Sequence, residues 1–564
     1  MIRTTLLALV LLTPSFTALA RPWKPHPIHI IPGQPLKPED IKPYTPPNLP
    51  PEPPLEPTEV KTVEVKVPEA IVEIRPWLSP MVGNAIEGAR LPVRGVVTGN
   101  HHGCSSKTWY AVAPFGYVCG RDVKPTSEAP STESVLKVQP DSRLPFRYVM
   151  VLIKDDVKMP LWTTLADLKN GVEPERLLKK GDTIAVAKTI NWEGAKFWVS
   201  VEGNVIPFKG TMMMGGGSEW HGLAITAATP LPFGWVTPEK AKVYSAPPQK
   251  GAKAVPAATL DRRTRVAIVG EQLVGRKKWL KVTIAAPAPP PTFGDIFADS
   301  ARRQPNPADA PAATEDKTAA SLPEIWISAD SVNEVRKLER PKTVDPRVTK
   351  WIDVDLGEQV LVEYENDQPV YATLVSSGRT IATPMGTYPV WAKVSAITMK
   401  NQPYEDKEYF VNKVPWVTFF QWHNAIHGAY WHDRFGVTKS HGCVNVAPID
   451  AKQVFEWVSP PLPPGWSGLR PVDLLLSPTV VVRNSHMRRQ FRQDRPIGPP
   501  DRELESERAK EADERRAEAL PPGAAPAPGT APVAGAPVAT APATPPQNPS
   551  VVPAPTPATP APAP

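Results

Sequence analysis

Apolar and polar positions alternate with a period of two through much of the chain, which predicts strands more than helices. Residues 60–67 interleave valines with charged residues, and 93–97, 109–112 and 115–119 continue as short β-prone runs. Further runs at 148–153, 183–187 and 197–201 predict a second β-rich group, with a helix-like stretch at 164–170 between them. A third group comprises 233–236, 241–244, 265–269 and 279–282, with 324–327 as a closing piece. Farther on, Ile352, Val354 and Leu356 alternate with polar residues, as do Val360, Val362 and Tyr364. The turn Glu365-Asn366-Asp367 then leads into Val370, Ala372 and Leu374, a hairpin pattern. At 448–458 the period changes: Ile449, Val454 and Trp457 are spaced to cover one helix face. Met212, Met213 and Met214, followed by three glycines, read as a flexible loop.

A chain of 564 residues is too long for one core, and its 74 prolines fall in blocks that predict extended linkers between smaller folded units. The expected organisation is a signal peptide at 1–20, a Pro-rich linker at 21–58, and a small β module at 59–140. A β-rich module at 141–223 and a third module at 224–340 follow, the latter with a Pro/Ala-rich insertion at 285–323. A catalytic domain at 350–482 precedes a charged, then Pro/Ala-rich, disordered tail at 483–564. The leader assignment rests on Arg3, the apolar run 6–12 and the small-x-small site Ala18-Leu19-Ala20. Beyond it no apolar stretch is long enough to span a bilayer, so the expectation is export without a transmembrane segment after signal cleavage. The net charge of +7 is modest, and no basic stripe accompanies aromatic residues, which argues against nucleic acid as a partner.

Export changes the meaning of the three cysteines. Cys104 and Cys119 are close in sequence and form a candidate disulfide, worth about 3 kcal/mol for so short a loop. His101 and His102 stand nearby, but a disulfide-linked loop is a simpler account of the segment than a metal. Cys443 is left over. Four of the ten histidines fall at 423, 427, 432 and 441, just ahead of it, in the run Lys439-Ser440-His441-Gly442-Cys443-Val444-Asn445. A neighbouring imidazole can accept the thiol proton and yield a reactive thiolate. Gly442 permits unusual backbone angles, and consecutive N–H groups at such a turn can face a developing oxyanion. Nucleophile, base and candidate oxyanion hole together point to acyl transfer.

His427 followed by Ser440-His441-Gly442-Cys443-Val444-Asn445 resembles the L,D-transpeptidase catalytic (YkuD-type) family. The opening hairpin, Ser376-Ser377-Gly378 and Thr383-Pro384-Met385-Gly386-Thr387-Tyr388 occur in the family's order, and the resemblance covers about 130 residues. It implies a β-sandwich-like catalytic domain with short helices, Cys443 as nucleophile and His427 as general base. It also implies that the Gly428 carbonyl orients the His427 ring and that Gly442 contributes an oxyanion-hole N–H. Ser440, His441 and Asn445 match motif positions that shape the pocket. No cofactor and no metal are implied. The implied substrates are peptidoglycan stem peptides, with an outer-membrane protein as an alternative acceptor. The third group of strands resembles bacterial SH3-like domains, for which wall binding and a plain spacer role are both open.

Other uses of the same residues remain at this stage. A free cysteine is often a small core residue. His423, His427, His432, His441 and Cys443 have the chemistry of zinc ligands, although Asn424 stands where a His-Glu-x-x-His protease needs its glutamate. Tyr430 and Trp431 read as packing residues.

Overall fold

The computed structural model describes residues 51–487 except 77, 100–103, 134, 140–141, 250–254, 286–323 and 402–408. The expected signal peptide, most of the Pro-rich linker, nearly all of the Pro/Ala-rich insertion and the tail from 488 lie outside the described residues, as do His101 and His102. Within them the fold is mainly β, with α-helices at Leu165–Lys169 and Pro448–Trp457. Among the described residues no helix is long and apolar enough to cross a membrane.

The alternating pattern from 350 onward builds a meander of Lys350–Asp355, Val360–Glu365 and Gln368–Leu374. Thr479–Arg483 joins its free side in parallel, and Gly386–Pro389 pairs antiparallel with Thr479–Arg483. Both faces of this sheet are covered. Ile352, Val354, Leu361, Val480 and Val482 point into one apolar cluster, while Trp351, Val360, Val362 and Val481 point into another. Asp353 and Asp355 share the face of Trp351 and are buried, and Arg483 answers both at 2.7 Å. Losing the arginine would strand two buried carboxylates, a loss of about 3–5 kcal/mol.

A second sheet lies across the first cluster. Ala392–Lys400, Phe410–Gln421, Asn424–Gly428 and Val444–Val446 are paired in that order, and Trp416, Phe420, Ile426, Val444 and Val446 meet Ile352 and Val354 in the shared core. This is a sandwich of two sheets with one core between them. The helix Pro448–Trp457 closes that core, with Val454 in it and Trp457 packed against it as expected, but with Ile449 turned partly away. Pro448, Asp450, Ala451, Val454 and Phe455 are buried, whereas Ile449 and Trp457 are only half-buried. The carboxylate of Asp450 turns the helix: it accepts from the Gly222 N–H (2.8 Å) and from the hydroxyls of Tyr371 (2.7 Å) and Thr373.

The upstream strands are joined to this sandwich by backbone pairing. Leu78–Ile86 runs antiparallel to Trp466–Leu469, which itself pairs with Ala392–Lys400. Gly83 makes that approach feasible, because a Cβ there would lie 2.3 Å from the Trp466 ring. Cys104 and Cys119 are disulfide-bonded, in a cluster with Trp109 and Tyr117. Thr183–Trp192 reaches Phe410–Gln421 at Thr183 and Val411. Thr211–Met213 is a strand paired with Arg147–Val151, not the flexible loop expected of a methionine–glycine run. Backbone pairing to a neighbour decides this segment's conformation more than its composition does.

Seven strands lying between Phe233 and Val335 form one sheet. Phe233–Val236 pairs with Val332–Val335 on one side and Arg265–Val274 on the other. Ile325–Ser328 joins both Lys277–Ile284 and Lys240–Tyr244. Phe233, Trp235 and Val335 share a cluster with Trp351, Tyr364 and Phe435, so this sheet packs against the outer face of the meander.

Candidate active site

The candidate residues are placed by one short parallel pair of strands. Asn424–Gly428 is buried throughout and lies between Phe410–Gln421 and Val444–Val446. Parallel neighbours need a crossover, and here it is residues 429–443. The register matches Ile426 with Val444, His427 with Asn445 and Gly428 with Val446. Because side chains alternate, Ile426, Val444 and Val446 face the core, and His427, Asn445 and Cys443 share the opposite face. The pattern of hydrophobics around the motif therefore dictates which three polar or reactive side chains come together.

Cys443 is outside the disulfide and partly exposed. Its Sγ lies 3.7 Å from the His423 carbonyl oxygen, and it packs with Trp431 against Val414, Val417 and Ala425. His427 is buried, with Nδ1 3.5 Å from the Gly428 carbonyl oxygen, the outer limit of a hydrogen bond. In that contact Nδ1 carries the proton and Nε2 keeps its lone pair. Burial brings the His427 pKa down to about 4; the Gly428 carbonyl works against this and His432 adds to it. The ring is neutral at pH 7.

His432 is held in the same way. Burial, then Lys439, lowers it to about 4 against the pull of Asp433. Its Nδ1 accepts from the Arg434 N–H (3.2 Å), and its Nε2 is 3.0 Å from the Asn445 amide. The Trp431 ring lies 5.8 Å from that of His427. His441 is exposed and stacks on Tyr409 with 9° between the planes.

The loop 439–445 is stitched to the segment 376–383. Ser376 and Asn445 exchange both backbone hydrogen bonds, at 2.8 and 3.0 Å. The Ser377 carbonyl accepts from Lys439 and Ser440, and the Arg379 N–H donates to Ser440. Thr383 is wholly buried: its hydroxyl accepts from the Gly378 N–H (2.8 Å) and donates to the Gly442 carbonyl (2.7 Å). The Ser440 hydroxyl donates to the Cys443 carbonyl and accepts from the Gly442 N–H (3.2 Å). Gly442 has φ +157°, and a Cβ there would meet Asn424 Oδ1 at 2.6 Å, so glycine is required on both counts.

The geometry thus brings together His427, Gly428, Ser440, Gly442, Cys443 and Asn445, while His441 lies at the rim and Cys104–Cys119 belongs to the upstream strands. Sequence reasoning missed Thr383 as the tie between the two loops, Asn424 as the neighbour that restricts position 442, and His432 as the partner of Asn445. None has a local signal, because each acts on a residue distant in the chain.

Among curated protein sequences none matches the chain significantly. Among solved structures it is similar to an Enterococcus faecium L,D-transpeptidase in a Cys-to-Ser mutant, at 26% identity over 24% of this chain and 49% of that one, with a TM-score of 0.19. It is also similar to the L,D-transpeptidase of Stackebrandtia nassauensis, at 22% identity over 27% and 60% with a TM-score of 0.18. A third is the L,D-transpeptidase from Mycobacterium smegmatis, at 16% identity over 38% and 98% with a TM-score of 0.20. The chain spans about half the length of the Enterococcus structure. Residues 349–482 match the family model YkuD, L,D-transpeptidase catalytic domain, and this stretch is such a domain.

Proposed function

We propose that the protein is a peptidoglycan L,D-transpeptidase that works through a thioester on Cys443. The observation that carries this reading is the parallel register of Asn424–Gly428 with Val444–Val446, which puts the imidazole of His427 on the same face as the thiol. In the proposed cycle His427 Nε2 takes the Cys443 proton and the sulfur attacks the carbonyl of the third stem residue. The tetrahedral intermediate expels D-alanine, whose amine receives the proton from His427. An amine of a second stem, or of an outer-membrane protein, then attacks the thioester, gives a proton to His427 and releases Cys443.

A neutral His427 suits the base role, since an already protonated ring has no lone pair to offer. The same low basicity favours the thiol–imidazole form over a standing ion pair in the empty site, so transfer is coupled to attack. The Gly428 carbonyl, on Nδ1, fixes the tautomer. Gly442 is assigned to the oxyanion hole, and this requires its N–H to leave the Ser440 hydroxyl for the substrate oxygen. Export by the 1–20 leader to the periplasm or wall, and an SH3-like module at 224–340, belong to the same proposal.

The test is incubation of the full chain with purified muropeptides, weighing the products. Crosslinked dimers from the wild type and none from Cys443→Ala support transfer. Tripeptide stems alone would mean hydrolysis, and crosslinking that survives Cys443→Ala would end the reading.

A further inference from the structure

The crossover 429–443 is gripped from outside the catalytic stretch. On one side Tyr430 stacks on Tyr148 (centroids 3.7 Å apart), accepts from Thr183 and donates to the Asn412 carbonyl. On the other, the Asp433 carbonyl accepts from Arg262 (2.9 Å) and Arg263 (2.8 Å). The Asp433 carboxylate accepts from Arg263 (2.7 Å) and from Ser218. Asn333 donates to the Gly436 carbonyl at 3.1 Å. Arg263 is itself located by the Trp220 ring, 5.1 Å beneath its guanidinium.

The residues so held flank the reacting pair. Asp433 follows His432, whose Nε2 meets Asn445, and Trp431, which lies beside the His427 ring and packs with Cys443 on one cluster. We propose that Arg263 is a positioning residue of the reaction: by fixing Asp433 it holds His432 on Asn445 and Trp431 beside His427. The sheet 233–335 is then part of the catalytic apparatus and more than a spacer. The proposal deepens the function proposed above and rests on it for the turnover assay alone.

The backbone supplies a clean variant. Arg263 has φ +67°, where a side chain is strained and glycine is not, so Arg263→Gly removes the clamp while easing the turn. Asp433→Asn removes the charge from the other side. Two rates are read on the full chain. One is the carbamidomethylation rate of Cys443 by iodoacetamide, followed by intact mass, which is unambiguous because the other two cysteines are bridged. The other is muropeptide crosslinking, resolved into kcat and KM.

In Arg263→Gly and Asp433→Asn, kcat and the alkylation rate fall by about tenfold or more, since small displacements of reacting groups are that damaging. KM and the melting temperature hardly move. The double variant is no worse than either single one, and Arg263→Lys falls between them and the wild type. If either single variant, folded, alkylates within a factor of two of the wild type, the proposal is overturned. A wild type that alkylates normally but never crosslinks defeats the transpeptidase reading, and the alkylation ratios still decide the role of Arg263.

Discussion

His427 and Asn445 lie side by side on parallel strands, and the Asn445 amide meets Nε2 of His432 at 3.0 Å. The second ring nitrogen of His432 accepts a backbone N–H, so a neutral ring carries its proton on Nε2; Asn445 Nδ2 faces that nitrogen, and the bond forms with the amide turned so that its oxygen accepts. Asn445 is therefore bonded to one neutral imidazole and lies beside a second on the neighbouring strand, and His432 disfavours charge on His427.

Asn445→Asp tests this tie. A carboxylate in place of the amide stabilises protonated His432, whose pKa should rise from about 4 toward neutrality. Histidine ring NMR titration reads the shift directly. An unmoved His432 would show that the two side chains do not share the bond.

The two rings also make acid stability predictable in sign. Both are brought from 6.5 to about 4 in the folded protein, so between those values the unfolded chain binds protons that the native state refuses. Stability is lost as pH falls through this window, by at most about 3 kcal/mol for His427. Asp353 and Asp450, raised to about 6 chiefly by burial, oppose the trend by taking up protons in the fold. The check is the difference in melting between pH 7 and 4.5: it should be smaller in His427→Gln/His432→Gln than in the wild type.

Glu363 acts in the opposite direction. It is wholly buried, bonded to Gln453 at 3.2 Å, and has one carboxyl oxygen without a partner. Burial raises its pKa to about 8. The folded state keeps the proton, and stability is lost as pH rises from 4.5 through 8. Glu363→Gln mimics the protonated acid, so it should melt higher than the wild type at pH 9 and about equally at pH 4, below the unfolded-state value. Equal melting at both would refute the assignment.

Thr383→Val keeps the shape of the residue and deletes the hydroxyl that links Gly378 to Gly442. Two buried backbone groups then lose a partner, with an expected loss of about 1–3 kcal/mol by urea unfolding. Crosslinking should fall more than stability alone explains, because Gly442 adjoins Cys443.

Much of the catalytic stretch was legible because its residues carry local signals. Val360, Val362, Val370 and Ala372 alternate as a hairpin must, and the motif around Cys443 is contiguous. Three features were not legible for one shared reason. Met212 and Met213 are in a strand because Arg147–Val151 lies beside them. The helix 448–457 turns its Asp450 inward because Gly222, Tyr371 and Thr373 bind it. Asp433 matters because Arg262 and Arg263, far back in the chain, reach it. In each case the partner, not the segment, holds the information.

The pairing of Leu78–Ile86 with Trp466–Leu469 has a practical side. Excising the stretch 349–482 would expose a raw β-edge along Trp466–Leu469, with the Trp466 indole stripped of cover. Such edges recruit other chains. The transpeptidase fold in this protein is thus no interchangeable cartridge: cut free, it should be prone to aggregate, and grafting it elsewhere would require a surrogate for the missing strand.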